Sequence, residues 1–376
     1  MTPRDRAEPY RAASPLELLF DLVFVIAVSQ AAGGLHELIS EGRAGEGVVA
    51  YLMLFFAVWW AWMNFTWFAS AFDTDDWAYR VMTFVQMGGV LLLAAGVHDA
   101  MHASDFTLVT WGYVVMRLAM VGQWLRAAAS HPASRRTALA FAVGIAVVQL
   151  LWVARLYLLD IPAQFVAFFV LMLAEVAVPL IAERQGRTAW HPHHIAERYG
   201  CFTLIVLGES VLASATAVFA ARGSAAHVLD LAGLAAAGLL IAAGMWWVYF
   251  ARDQGTRLAR IDRGFGFGYA HYAIFAAAGA VSAGIGACVD VAAGDSELPA
   301  AGAVLVLTTA VGVFLLTVWL VMLRPLIPRG ASWAVVVVAV LIVGSAVVPW
   351  AAVAVTVVLL GVVVAVLEVD RTRRPG

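Results

Sequence analysis

Residues 47–68 read Gly47-Val-Val-Ala-Tyr-Leu-Met-Leu-Phe-Phe-Ala-Val-Trp59-Trp60-Ala-Trp62-Met-Asn64-Phe-Thr-Trp67-Phe68, and none of these side chains carries a charge. A helix rises about 1.5 Å per residue, so the stretch is about 33 Å long as a helix and matches a hydrocarbon core about 30 Å thick. Lipid offers backbone N–H and C=O groups no partner, so a segment of this kind is read as a helix that bonds to itself. Working outward in both directions, apolar stretches of similar length recur at 16–34, 79–98, 106–126, 137–157, 162–182, 198–219, 228–251, 266–289, 299–323, 332–348 and 350–367. The last two form one apolar run broken only near Pro349, and they require a very tight turn there. The expected fold is all-α, a polytopic membrane protein with about 12 transmembrane helices.

Composition agrees. Of 376 residues, 63% are hydrophobic and 13% charged, where a soluble domain carries about 25% charged residues. The net charge of −2 gives no basic surface for nucleic acid. All 23 basic residues are Arg. Two cysteines, Cys201 and Cys288, cannot form a disulfide framework and are expected to be free and packed, near opposite faces of the membrane. Residues 1–14 are polar and carry Arg4, Arg6 and Arg11, and the apolar run behind them contains Glu17 and Asp21. That pattern reads as a retained first span, not a cleaved leader.

Arginine placement tests the map. With the N-terminus in the cytoplasm, the inner segments hold Arg4, Arg6, Arg11, Arg80, Arg126, Arg135, Arg136, Arg184, Arg187, Arg198, Arg252, Arg257, Arg260, Arg263, Arg324, Arg329, Arg371, Arg373 and Arg374. The outer segments hold Arg43, Arg155 and Arg222, and Arg117 falls inside a span. This inside bias fixes the orientation and puts both termini in the cytoplasm. A faint repeat divides the chain. Glu17 and Glu197 open the first and seventh spans, Ser29-Gln30 and Glu209-Ser210 follow twelve residues later, and Trp59-Trp60 and Trp246-Trp247 close the second and eighth. The expected organisation is an N-terminal segment 1–14, a first membrane half 15–183, a cytoplasmic linker 184–197, a second half 198–368 and a tail 369–376, with the two six-span halves parallel.

Charges inside spans carry the functional signal, because each costs about 2.5–3.5 kcal/mol at the helix centre unless it faces a partner or a wet cavity. Arg117 and Glu209 fall near mid-span at similar depth and are expected to pair or to share a cavity with Asn64, Gln86, Gln123, Gln149, Ser210 or His271. Asp21 and Glu175 fall in the cytoplasmic leaflet. Glu17 and Asp21, four apart, share a helix face and need a cation opposite, for which Arg198 is the candidate. Both functional and purely structural ion pairing are open for these residues, since buried pairs often break even in stability. His194, Glu197, Arg198 and Cys201 share a face, but His194 and Glu197 are only half of a metal site, and no metal or cofactor is expected. His191-Pro-His193-His194 reads as the loop that starts a helix, and His98, Asp99, His102 and Asp105 as a polar reverse turn. The tryptophans at 59, 60, 62, 67, 246 and 247 suit an interfacial belt. Gly264-Phe-Gly-Phe-Gly268 lacks the strand and the Lys of a phosphate loop, and Gly279 and Ala283 suit close helix contacts.

Ser14-Pro-Leu-Glu17-Leu-Leu-Phe-Asp21-Leu-Val-Phe-Val and His194-Ile-Ala-Glu197-Arg198-Tyr-Gly-Cys-Phe202-Thr-Leu-Ile-Val-Leu-Gly208-Glu209-Ser210 together resemble the two hallmark motifs of the bacterial low-temperature-requirement A family, in order and at plausible separation. The resemblance covers most of the chain. It implies a multi-pass membrane protein linked by name to growth in the cold, and it draws attention to Glu17, Asp21, His194, Glu197, Arg198, Gly208, Glu209 and Ser210. It implies no substrate or reaction. Three readings follow. The first is an ion- or proton-linked transporter of a small solute, or a cation pathway, with Glu209 as coupling acid, Arg117 as counter-ion, and Glu17, Asp21 and Arg198 at a cytoplasmic gate. The second is an enzyme acting on lipid through His194, Glu197 and Asp21. The third is a non-catalytic protein of envelope adaptation. The expected partners are the bilayer, protons or cations, and a small solute.

Overall fold

The structure is a computed structural model that describes residues 1–3, 11–223, 228–260, 264–296 and 298–373. Arg4, Arg6, Arg263, Arg374 and Asp262 lie outside the described residues. The chain is helical nearly throughout: α1 Pro15–Ser40, α2 Ala44–Ala71, α3 Trp77–Ala95, α4 Val97–His102, α5 Thr107–Ser130, α6 Arg135–Leu158, α7 Ile161–Ala182, α8 Pro192–Gly223, α9 Val228–Tyr249, α10 Gly255–Ala259, α11 Phe265–Ala293, α12 Ala300–Val318, α13 Arg329–Gly344 and α14 Pro349–Arg373. A two-residue antiparallel pairing joins Thr2–Pro3 to Phe72–Asp73.

Eleven of these helical segments, among the described residues, are long and apolar enough to cross a membrane. The exception among the long helices is α5. At 24 residues it has the length, but Arg117, Gln123 and Arg126 dilute its apolar run. It is sheltered, because α3 and α6 pack along it. The apolar run at residues 332–367 is two helices, as expected, with a single turn of 3-10 helix at Ser345–Val347 between α13 and α14. Pro349 starts α14, where its missing N–H is of no consequence.

The chain divides into two compact units, one made of residues 1–31 and 53–199, the other of residues 32–52 and 200–376. In the first, α5 packs on α3 and α6, and α6 on α7. The α3–α5 contact is close enough to exclude a side chain. A Cβ on Gly112 would lie 2.6 Å from the Gly89 carbonyl oxygen. Aromatic rings fill the interior, with Phe20 4.0 Å from Phe65 and Trp124 stacked at 4.1 Å on Phe141. In the second unit, α12 packs on α11 and α13, and α14 on α9 and α13. The α11–α12 approach is set by Gly284, whose added Cβ would meet the Leu307 Cα at 2.7 Å, one residue from the expected Ala283.

Two expectations change, and the one for the cysteines stands. Trp59, Trp60 and Trp62 do not form an interfacial belt, for all three are buried. They lie on α2, the first unit's most enclosed helix, and a buried indole N–H seeks an acceptor inside the protein. Trp246 and Trp247, by contrast, are 43% and 42% exposed. The segment around His98 is a short helix, not a reverse turn, and the His98 and His102 rings stack at 4.5 Å one turn apart. Both cysteines are free thiols, Cys288 buried and Cys201 half-buried.

Candidate functional site

Two buried charge clusters lie in the first unit. One is built where α1 and α8 begin. Ser14, Pro15 and Glu17 form a reciprocal cap on α1. The Glu17 backbone N–H donates to Ser14 Oγ at 3.3 Å, and the Ser14 N–H donates to Glu17 Oε2 at 2.7 Å. On α8, His191 takes the Ser14 position and Pro192 the Pro15 position. His191 Nδ1 accepts from the His194 N–H at 3.3 Å. The third residue of each helix is therefore Glu17 or His194, and one turn on come Asp21 and Arg198. Glu17 Oε1 lies 3.2 Å from His194 Nε2 and 3.2 Å from Arg198 Nη1. Arg198 grips Asp21 with two donors, Nη2 to Oδ1 at 2.5 Å and Nε to Oδ2 at 3.2 Å, the forked geometry that a guanidinium suits.

Neighbouring groups complete this cluster. Trp62 Nε1 donates to Asp21 Oδ1 at 2.7 Å. Arg11 reaches Glu17 Oε1 at 3.4 Å, the Ala69 carbonyl at 2.8 Å and His194 Nδ1 at 3.4 Å. With an Arg donor beside Nδ1 and a carboxylate beside Nε2, His194 fits the neutral tautomer protonated on Nε2. Each ring nitrogen then has a charged neighbour, Arg11 at Nδ1 and Glu17 at Nε2. Glu197 turns elsewhere and accepts the Ala13 N–H at 3.3 Å. Glu17, Asp21, His194 and Arg198 are each no more than 1% exposed. Two carboxylates face two guanidinium groups, so the cluster is neutral.

The second cluster joins α2, α5, α6 and α7. Glu175 on α7 accepts from Arg117 Nη2 at 2.9 Å and Trp60 Nε1 at 3.0 Å on one oxygen, and from Gln149 Nε2 at 2.7 Å on the other. Arg117 and Glu175 are wholly buried. The acid beside Arg117 is thus Glu175, where the sequence suggested Glu209. Position along a helix gives depth but not azimuth, and the long Arg stem crosses the depth difference to the helix it faces. Arg117 Nε and Nη1 and Gln149 Oε1 have no hydrogen-bond partner among the described residues, while the Tyr113 hydroxyl is turned to Glu175 and the Arg117 guanidinium lies 5.9 Å from the Tyr113 ring. Trp60 and Trp62 are two residues apart, about 200° around α2. That helix therefore serves Glu175 from one side and Asp21 from the other.

The remaining predicted residues are placed apart from these. Glu209 is half-buried on α8 in the second unit, and Ser210 is buried with its hydroxyl unpartnered among the described residues. His271, also in the second unit, is a satisfied packing residue. Its Nδ1 lies 2.7 Å from the Phe267 carbonyl and its Nε2 3.0 Å from the Tyr249 hydroxyl. Asn64 donates to the Trp60 carbonyl at 2.8 Å and Gln123 to the Tyr79 carbonyl at 3.3 Å. Gln86 is buried on α3. Sequence reasoning missed Trp60, Trp62, Tyr113 and Arg11 as cluster members. Beside the Glu17–Asp21 spacing that pointed to Arg198, the Ser-x-x-Glu spacing at Ser14–Glu17 was a second signal for the first cluster, since it marks a helix start.

Apolar helices of bilayer length, with charged side chains gathered in their interior, define a multi-pass α-helical membrane protein, and its surroundings are a lipid bilayer. Within that class the chain belongs to the family described as bacterial low temperature requirement A protein (LtrA), whose sequence pattern it matches over residues 12–369. The match takes in both motif segments and, Arg11 apart, both clusters. The chain is also similar to an uncharacterised protein of Rhizobium meliloti (strain 1021), 27% identical over 260 residues, which are 67% of this chain and 61% of that one. The matched region spans less than two thirds of that relative.

Proposed function

We propose that this chain is a transport-type protein of the bacterial cytoplasmic membrane, a proton- or ion-linked pathway for a small solute or cation. The observation that carries the reading is the Arg117–Glu175 pair, wholly buried among membrane helices with Arg117 Nε and Nη1 and Gln149 Oε1 left over for another partner. A purely structural pair gains from satisfying each of its donors, because a buried unsatisfied group costs about 1–3 kcal/mol. Spare polar atoms beside a titratable acid suit a site that exchanges partners during a cycle. In this reading Glu175 is the coupling acid and Arg117 its counter-ion. Glu209 on α8 is a second acid on the route. Glu17, Asp21 and Arg198 form the gate at the cytoplasmic end, and the Arg distribution supports both termini in the cytoplasm. The two parallel six-span halves belong to this proposal as its alternating elements.

The test is ion flux in proteoliposomes under an imposed pH, sodium or potassium gradient. Wild-type protein is expected to carry flux, Glu175→Gln to abolish it and Glu209→Gln to reduce it. An absence of flux for every one of these ions, from protein verified as folded and inserted, overturns the transport reading.

A further inference from the structure

The second unit carries a cleft that belongs to neither charge cluster. It lies where α9, α12 and α14 begin and α11 ends, and its volume is about 380 Å³, within the range of about 300–1,000 Å³ usual for small-molecule sites. Leu234, Cys288 and Val304 line it from the buried side, and Asp230 and Trp350 from the exposed side. On α9 the lining runs from Asp230 to Ala237. At about 1.5 Å per residue the cleft therefore follows that helix for about 10 Å. Gly233 lines it too, and a Cβ added there would meet no atom within 4 Å.

The lining restricts what fits. Asp230 is the one carboxylate among the lining residues, and they include no arginine and no histidine. Asp230 is exposed and makes no hydrogen bond or ion pair with any described residue. Trp350 is 88% exposed, and an indole face attracts a cation placed within about 6 Å of its centre. An anion would be repelled by Asp230. A hydrated inorganic cation would gain nothing from apolar walls, and a plain hydrocarbon chain would make no use of the carboxylate. A cation with apolar arms uses the carboxylate, the indole and the walls together.

We propose that this cleft binds one lipophilic organic cation, a quaternary ammonium or phosphonium with apolar substituents. Its charge rests beside Asp230 and Trp350, and its arms enter between α9, α11, α12 and α14. The site lies wholly within the second unit, and its occupancy is an equilibrium property that does not depend on the transport reading.

The experiment uses full-length protein purified in a neutral maltoside detergent and dialysed to equilibrium against tetraphenylphosphonium, with tetraphenylborate as an anion of the same shape. The expected result is saturable binding of one phosphonium per chain and no saturable binding of the borate. Asp230→Asn should weaken binding about fivefold, the scale of one ion pair at a partly exposed site. Trp350→Ala should weaken it about threefold. Gly233→Phe fills the cleft without altering charge and should abolish binding. With Cys201→Ala, Cys288 is the one remaining thiol, and the phosphonium should slow its reaction with N-ethylmaleimide. The proposal is overturned by an absence of saturable phosphonium binding, by equal binding of the borate, or by binding that Asp230→Asn leaves unchanged. It is equally overturned by binding that survives Gly233→Phe, or by unaltered Cys288 labelling. If Gly233→Phe does not fold, Asp230→Asn and the labelling of Cys288 decide the matter.

Discussion

Arg198 grips Asp21 with two donors while Trp62 occupies the same carboxylate, and all three are buried. Removing one member of a buried pair strands the other, at a cost of about 3–5 kcal/mol. Arg198→Met or Asp21→Leu alone should therefore lower the unfolding temperature sharply or prevent accumulation of folded protein. The double substitution Asp21→Leu with Arg198→Met should recover much of the loss, and a double-mutant cycle on detergent-solubilised protein measures the coupling. Trp62→Phe removes one donor and keeps the ring, so a smaller loss of about 1–3 kcal/mol is expected. The Asp21–Arg198 pairing was legible in the sequence because Glu17 and Asp21 stand four apart on one face and two like charges demand a cation. Arg117's partner was not, since Glu175 and Glu209 both lay within reach in depth and only packing chose between them. The roles of Trp60 and Trp62 were hidden by a statistic that sends tryptophan to the membrane interface. Nothing in an apolar run marks which indole will find a carboxylate.

Helix starts are set by short local devices, and these can be tested one at a time. Ser14→Ala removes one half of the reciprocal cap on α1, with an expected loss of about 1 kcal/mol, and it should also loosen Glu17 beside His194. Asp76 caps α3 by accepting from the Tyr79 N–H at 2.8 Å and receives Arg126 at 2.5 Å. The Tyr79 N–H first, and Arg126 with it, hold the Asp76 carboxyl below its ordinary value of 3.8. A depressed folded-state value means the stabilisation is complete above pH 3.8 and is lost as pH falls through the lower folded value. The wild-type advantage over Asp76→Ala in unfolding temperature should accordingly be constant near neutrality and shrink on acidification below that range. At the α3–α5 crossing, Gly112→Ala would force a methyl to 2.6 Å from the Gly89 oxygen, where backbone cannot yield locally. The expected cost is about 1–3 kcal/mol from overpacking, seen as reduced thermal stability. The apolar spans themselves were legible in number and place, because hydropathy and length suffice to mark them, but their ends were not: α1, α8 and α14 each run about six residues past an expected bound, α8 starting at Pro192 inside the expected linker 184–197. The weakest apolar run of the set, α5, is the helix that carries Arg117, so the sequence feature that blurs the span is the one that supplies the second cluster.

At the scale of the whole chain, the family match and the run of bilayer-length helices place the protein in a membrane, while its cargo is a matter for flux measurements. The register between the starts of α1 and α8 has a bearing on how such a chain is made. Asp21 and Arg198 are 177 residues apart in sequence. At about 5–20 residues per second of synthesis, roughly 10–35 s separate their emergence from the ribosome. Throughout that interval α1 has two acids, and the only cluster cation yet synthesised is Arg11. Helix α1 is thus committed to the bilayer on credit, and its lodging becomes secure only when α8 arrives with Arg198. In chains truncated after Ala182 a cysteine placed in α1 should react with a water-soluble thiol reagent, whereas chains extended through α8 should protect it. The pairing would then act as a late checkpoint in biogenesis, at which a nascent chain that fails to deliver α8 can be recognised and cleared.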